Sequence, residues 1–117
     1  MYCVVDLDGT LCNSFYDEAR KLWDYMNATP RYEVIDIINS LYDKGHHITI
    51  YTARGSTSGK DWKEPTERQL KVWGVKYHRL LFNKPAGELY IDDRTISPEF
   101  LVDKWPLLEG IINAREL

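Results

Sequence analysis

In "YCVVDLDGTL" two carboxylates, Asp6 and Asp8, stand one residue apart directly behind an apolar run. An unpaired carboxylate at the end of a buried strand is expensive, so the pair calls for partners. Three further places repeat the relation. Thr52 follows "HITIY", Lys84 follows "RLLF" after one Asn, and Asp92 and Asp93 follow "LYI". Three or four carboxylates gathered at one spot cannot all ionise without a cation. Oxygen ligands with no His or Cys among them suit a hard ion, Mg²⁺ first. A hydroxyl and a lysine beside such a cluster can hold the oxygens of a phosphoryl group, Thr52 by a hydrogen bond and Lys84 by its charge. Acids at i and i+2 of a strand share a face and can divide the work. One attacks phosphorus and the other gives and takes the proton. Gly9 lets the chain turn so that both can point at one ligand. Each position taken singly also has a plain structural reading: the acids as helix cap and turn residue, Thr52 as a strand-end hydroxyl, Lys84 as a surface lysine.

The elements that must position these groups are legible from apolar periodicity. "YCVVD" has the continuous apolar character of a strand buried on both faces of a parallel sheet. In "CNSFYDEARKLWDYMNA", Ala19, Leu22, Trp23 and Met26 recur at helical spacing and predict a loop leading into a short amphipathic helix. Thr29 suits an N-cap, Pro30 the first helical position and Gly45 a helix stop. Between them Val34, Ile35, Ile38, Leu41 and Tyr42 form an apolar face. "HITIY" reads as the second strand, ending at Thr52. "ARGSTSGKDWK" reads as a loop, and a helix follows from Pro65 to Trp73. "RLLF" and "LYI" read as the third and fourth strands. Ser97 and Pro98 open a helix through "EFLVDKW", and "LLEGIINAREL" carries a helical pattern interrupted by Gly110. Strands alternating with helices predict an α/β fold with a mostly parallel sheet and helices on both faces, a three-layer Rossmann-like arrangement. In such sheets ligands collect at the carboxyl ends of the strands. Those ends are where the polar groups stand.

With "DLDGT", "YTAR", "NKP" and "YIDDR" in this order, the chain resembles the haloacid dehalogenase (HAD) superfamily of phosphotransferases from Tyr2 to at least Ile96. The resemblance implies Asp6 as nucleophile, Asp8 as general acid/base, Thr52 as the phosphoryl-binding hydroxyl and Lys84 as the charge-stabilising lysine. It implies Mg²⁺ held by Asp6, the backbone carbonyl of Asp8, and the Asp92–Asp93 pair. A carboxylate at position 8 favours phosphatase chemistry over the dehalogenase and ion-pump branches. Gly9, Ala53, Arg54 and Arg94 flank the motif residues and are candidates for substrate contact. Arg54 and Arg94 are equally readable as structural ion-pair partners. Asp8 and Thr52 are separated by 43 residues, and Thr52 and Lys84 by 31, too few for an inserted cap domain. The expectation is one capless HAD domain over residues 1–117 with an open site. The run "TARGSTSGKDWKEPTERQLKVWGV" is similar to short capless HAD proteins encoded with capsule or surface-polysaccharide genes, which implies a sugar phosphate or related small metabolite as substrate. The same basic loop also resembles the phosphatase half of polynucleotide kinase-phosphatases, with Tyr51, Trp62 and Tyr77 as stacking candidates.

Charge and composition narrow the field. With 15 Lys and Arg against 18 Asp and Glu the net charge is −3, which argues against broad nucleic-acid binding. The stretch from Arg54 to Lys84 nevertheless holds eight basic and three acidic residues, a local +5 that suits an anionic substrate or an ordinary solvated surface. Cys3 and Cys12 form neither a zinc pattern nor a disulfide framework, and His46, His47 and His78 lack metal-ligand spacing. No apolar run approaches the roughly 20 residues of a membrane span. The chain is expected in the cytoplasm, with a homo-oligomer left open because capless relatives use large substrates or a neighbouring subunit as lid.

Overall fold

The computed structural model describes residues 1–114, leaving Arg115 to Leu117, the last part of the expected C-terminal helix, outside the described residues. Strand β1 (Tyr2–Val5) runs parallel to β4 (His47–Tyr51), which runs parallel to β5 (Arg79–Leu81), in the order β1-β4-β5. Val5 lies opposite Ile50, and Thr49 opposite Arg79. Alternation places Cys3, Val5, Ile48 and Ile50 on one face, where α1 (Tyr32–Asp43) packs Val34, Ile35, Ile38 and Leu41 into the core. Helix α2 (Lys63–Val72) adds Leu70, and α3 (Pro98–Asp103) adds Leu101. The last element among the described residues is α4 (Trp105–Asn113), which runs through Gly110 without interruption.

Helix ends follow local chemistry. At the end of α1 the Gly45 amide bonds the Tyr42 carbonyl and the His46 amide bonds that of Leu41, closing a Schellman motif on Gly45 at φ +94°. Gly74 closes α2 in the same way. Ser97 caps α3, its hydroxyl accepting from the Phe100 amide at 3.1 Å, with Pro98 in the first turn as expected.

Three expectations are corrected. Residues 12–30 form no helix but an antiparallel hairpin, β2 (Cys12–Asp17) and β3 (Leu22–Pro30). The Asp17 carboxylate caps its turn by accepting from the Arg20 amide at 3.0 Å, and Lys21 turns the chain at φ +54°. Leu22, Trp23 and Met26, the supposed core stripe, are exposed. Thr29 and Pro30 pair with Asn13 and Cys12 at the end of the hairpin, so α1 starts at Tyr32 behind Arg31. Leu89 to Ile91 is not a strand: this stretch pairs with nothing and is exposed. Pro85 lacks an amide proton, and Tyr90 folds back so that its hydroxyl bonds the Pro85 carbonyl and the Gly87 amide.

The architecture is α/β, with a three-stranded parallel sheet, a small antiparallel sheet and four helices among the described residues. Among the described residues nothing buries Tyr2 and Val4 on the second face of β1, where they are 58% and 61% exposed. Among the described residues no helix is long and apolar enough to cross a membrane.

Candidate active site

Leu7 decides where the two acids point. It is fully buried, a position worth roughly 1.5–3 kcal/mol, and its carbonyl accepts from the Leu11 amide at 2.9 Å and the Thr10 amide at 3.1 Å. With Leu7 anchored inward, Asp6 and Asp8 on either side remain at the surface, 39% and 23% exposed. Gly9 sits at φ +87° and completes the turn, its amide bonding the Cys12 carbonyl at 2.8 Å. Arg31 holds the turn from outside by donating to the Gly9 carbonyl at 3.1 Å.

Thr52 continues the line of β4. Its amide bonds the Leu81 carbonyl at 2.9 Å and its carbonyl accepts from the Lys84 amide at 3.2 Å. These two bonds, together with Asn83 at φ +68°, bring Lys84 back across the strand ends. Ser56 fixes the same turn by donating to the Lys84 carbonyl at 2.7 Å. The Lys84 ammonium then lies 3.3 Å from Asp6 Oδ1 and 4.5 Å from the centre of the Tyr90 ring. The Thr52 hydroxyl is buried and accepts from the Arg54 amide at 3.1 Å, leaving its own proton to donate.

Arg54, a candidate for substrate contact, is fully buried and spends its guanidinium on Asp8. Nε donates to Oδ2 at 2.9 Å and Nη2 to Oδ1 at 2.8 Å. Nη1 reaches Thr66 and Gln69 of α2, at 3.1 and 2.6 Å. Of the two roles open to it, the ion pair is the one present.

The hairpin closes over this pair through an irregular ladder. Between Asn13 and Phe15 its register jumps from Thr29 to Asp24. Ser14 leaves the pairing there and donates to Asp8. Tyr25 leaves it on the other strand, placing its ring 4.7 Å from the Arg54 guanidinium while its carbonyl accepts from Gln69 at 2.6 Å. Burial raises the Tyr25 phenol above its ordinary range, with the Asp8 charge adding to the effect. The Cys12 thiol, buried and also against Asp8, is pushed up to about 12 and is a neutral packing group. Ser14, Tyr25, Thr66 and Gln69 carried no motif signal. Thr66 and Gln69 do share a helix face at i, i+3, but only Arg54 gives that spacing a meaning.

The sequence-derived set is only partly brought together. Asp6, Asp8, Thr52 and Lys84 share the carboxyl ends of β1 and β4 with Gly9, Ala53 and Arg54. Asp92 and Asp93 lie on the surface segment in place of the expected fourth strand, Asp93 being 88% exposed beside Arg94. Asp92 is occupied with the Arg94 amide at 2.8 Å. Among the described residues no group of three or more His, Cys, Asp or Glu side chains is arranged to hold a metal ion. Mg²⁺ keeps several waters and is commonly held by one or two carboxylates together with substrate oxygens, so Asp6 and Asp8 at the rim suit such an ion, with Asp92 and Asp93 not gathered beside them.

No family model matches the chain, and no curated protein matches it. Among solved structures, the chain is similar to a chain of a Pnkp1/Rnl/Hen1 complex at 23% identity and a TM-score of 0.50, covering 86% of this chain and 33% of that one. That likeness extends to the fold. A crystal structure of an MCSG target from Vibrio cholerae is 30% identical with a TM-score of 0.69, covering 95% of this chain and 99% of the other. With identity at that level along nearly the full length of both, the protein belongs to the same family as the Vibrio cholerae protein.

Proposed function

We propose that the protein is a phosphomonoester hydrolase of the HAD type, working through an aspartyl-phosphate on a small phosphorylated metabolite such as a sugar phosphate. The observation that carries this reading is the 3.3 Å pair of Asp6 and Lys84 at the sheet rim, with Asp8 turned to the same surface by the burial of Leu7. Asp6 is accessible as a nucleophile, and Lys84 is placed to offset charge on phosphoryl oxygens. The Thr52 hydroxyl has a proton to donate to one of them.

In the first step an Asp6 oxygen bonds to phosphorus as the ester P–O bond breaks, and Asp8, entering this step in its protonated form, gives that proton to the departing oxygen. In the second, Asp8 takes a proton from water as that water attacks the aspartyl-phosphate, releasing inorganic phosphate and restoring Asp6. The HAD resemblance brings Mg²⁺ with it as the expected cofactor. Since Asp92 and Asp93 are not gathered with Asp6, activity is to be measured with and without that ion.

A polynucleotide 3′-phosphatase is the second reading. It is favoured by the surface beside the site, where Tyr25 meets Trp62 edge to face at 5.1 Å and Lys60 lies 4.3 Å from the centre of the Trp62 ring.

The test is hydrolysis of p-nitrophenyl phosphate by wild type and Asp6→Asn. Wild type should turn over and D6N should lose at least about a hundredfold in kcat, as removal of a nucleophile requires. Equal rates would leave a non-catalytic phosphate-binding module. A panel of sugar phosphates and 3′-phosphorylated oligonucleotides, compared by kcat/KM, separates the two substrate classes. An oligonucleotide preference that falls with added salt would favour the second reading.

A further inference from the structure

Among the described residues Arg54 is the only buried side chain of the Lys, Arg, Asp and Glu group. Each of its guanidinium nitrogens already has a partner. Nε and Nη2 hold the two oxygens of Asp8, and Nη1 holds Thr66 and Gln69. The Tyr25 ring lies against the guanidinium, and Gln69 is tied in turn to the Tyr25 carbonyl. Nothing is left over for a substrate. A two-point hold fixes the plane of a carboxylate as well as its position, and here both are referred to α2 and β3 as well as to the turn that carries Asp8.

We propose that Arg54 is a positioning residue for proton transfer: anchored on Thr66, Gln69 and Tyr25, it sets the orientation in which Asp8 meets the leaving oxygen. This rests on the phosphatase reading, in which Asp8 moves the proton. A catalytic group displaced by about 1 Å can lose about a hundredfold in rate. Ser14 contacts Asp8 as well, but its hydroxyl rotates freely and cannot set a plane.

A residue that only supported the fold would affect all substrates alike. A residue that aims Asp8 distinguishes them by their leaving groups. An alkyl phosphate such as glycerol 2-phosphate needs its departing oxygen protonated, whereas p-nitrophenolate leaves without a proton. For Arg54→Gln, kcat/KM on glycerol 2-phosphate should fall by about a hundredfold or more, the range of general acid catalysis. On p-nitrophenyl phosphate it should fall by less than about tenfold. Its kcat should fall further, because water still needs Asp8 as base in the second step, and a burst of nitrophenolate should appear.

Asp8→Asn should show the same substrate ratio, and R54Q added to D8N should cost little more. Arg54→Lys keeps the charge without the two-point hold, so it should move the ratio in the same direction. It decides the matter if R54Q does not fold. Equal losses on both substrates in a folded variant, or no loss, would overturn the proposal while wild type remains active and D6N inactive. An inactive wild type would remove the phosphatase reading and this proposal together.

Discussion

The carboxylate of Asp8 meets an arginine, a serine and a thiol within hydrogen-bonding reach, while Asp6 two residues earlier meets a single lysine. Types and spacing single out the two acids, but the partners of Asp8 come from positions 12, 14 and 54, and the anchors of Arg54 from 66 and 69, which no local pattern connects. His47 and His78, by contrast, lie in a stack with Tyr2. His47 lies between Tyr2 and His78, with ring centres 4.5 Å apart on each side, and its buried Nδ1 has no partner among the described residues. Burial, reinforced by the charges of His78 and Arg79, lowers its proton affinity below the usual range. An unfolded chain takes up that proton near pH 6.5 (about the ordinary value), while the folded one resists. Stability from this residue is therefore full above about pH 6.5 and is lost as pH falls through the lower folded value. The urea midpoint of wild type should drop more between about pH 7.5 and 5.5 than that of His47→Gln, and parallel drops would refute the assignment.

At the scale of elements, the parallel strands and the body of the helix from Tyr32 could be read from apolar runs and the helix from Pro98 from its cap, whereas the cap signal of Thr29 and Pro30 belongs to the hairpin. The hairpin itself could not be read this way. Ala19, Leu22, Trp23 and Met26 fit a helical stripe, but Phe15, Tyr16, Trp23 and Tyr25 are strand formers, and Tyr16 packs edge to face on Trp23 across the ladder at 5.6 Å. Cross-strand aromatic contact prevailed over a stripe with no core to meet. "LYI" failed for the opposite reason: its apolar residues suit a strand, yet the stretch pairs with nothing. The loop after Thr52 is more determined than its Gly and Ser content suggests. Gly55 has φ +80°, and a Cβ there would stand 2.2 Å from the Lys60 carbonyl oxygen. Gly55→Ala should destabilise by more than about 1 kcal/mol, since the native conformation excludes a side chain. It should also lower activity by loosening Ser56 from the Lys84 carbonyl. Denaturant melts and kcat/KM measured together check both, and an unchanged protein would show that the loop does not hold Lys84.

For the whole molecule, the α/β class followed from the alternation of elements, whereas the exposure of Tyr2 and Val4 on the second face of β1 did not. "YCVVD" is apolar throughout, and a continuous run cannot say which residues are covered. The structure distinguishes neighbours. Ile35→Ala, on the packed face, should cost about 2–5 kcal/mol, and Val4→Thr, on the open face, should stay within about 0.5 kcal/mol. Urea denaturation of the two variants tests this, and a large loss for V4T would mean that the second face is covered in solution.

The buried hold of Arg54 on Asp8 also bears on how this protein responds to selection for heat resistance. A one-sided break strands a charge and costs about 3–5 kcal/mol, yet replacing a buried ion pair with well-packed apolar residues is often neutral or stabilising by about 1–4 kcal/mol. The fold therefore has a route to greater thermal endurance that passes through the loss of its proposed proton carrier. Variants selected for endurance alone should drift toward inert, robust proteins, whereas selection that also demands turnover should retain Arg54 and Asp8 as a unit.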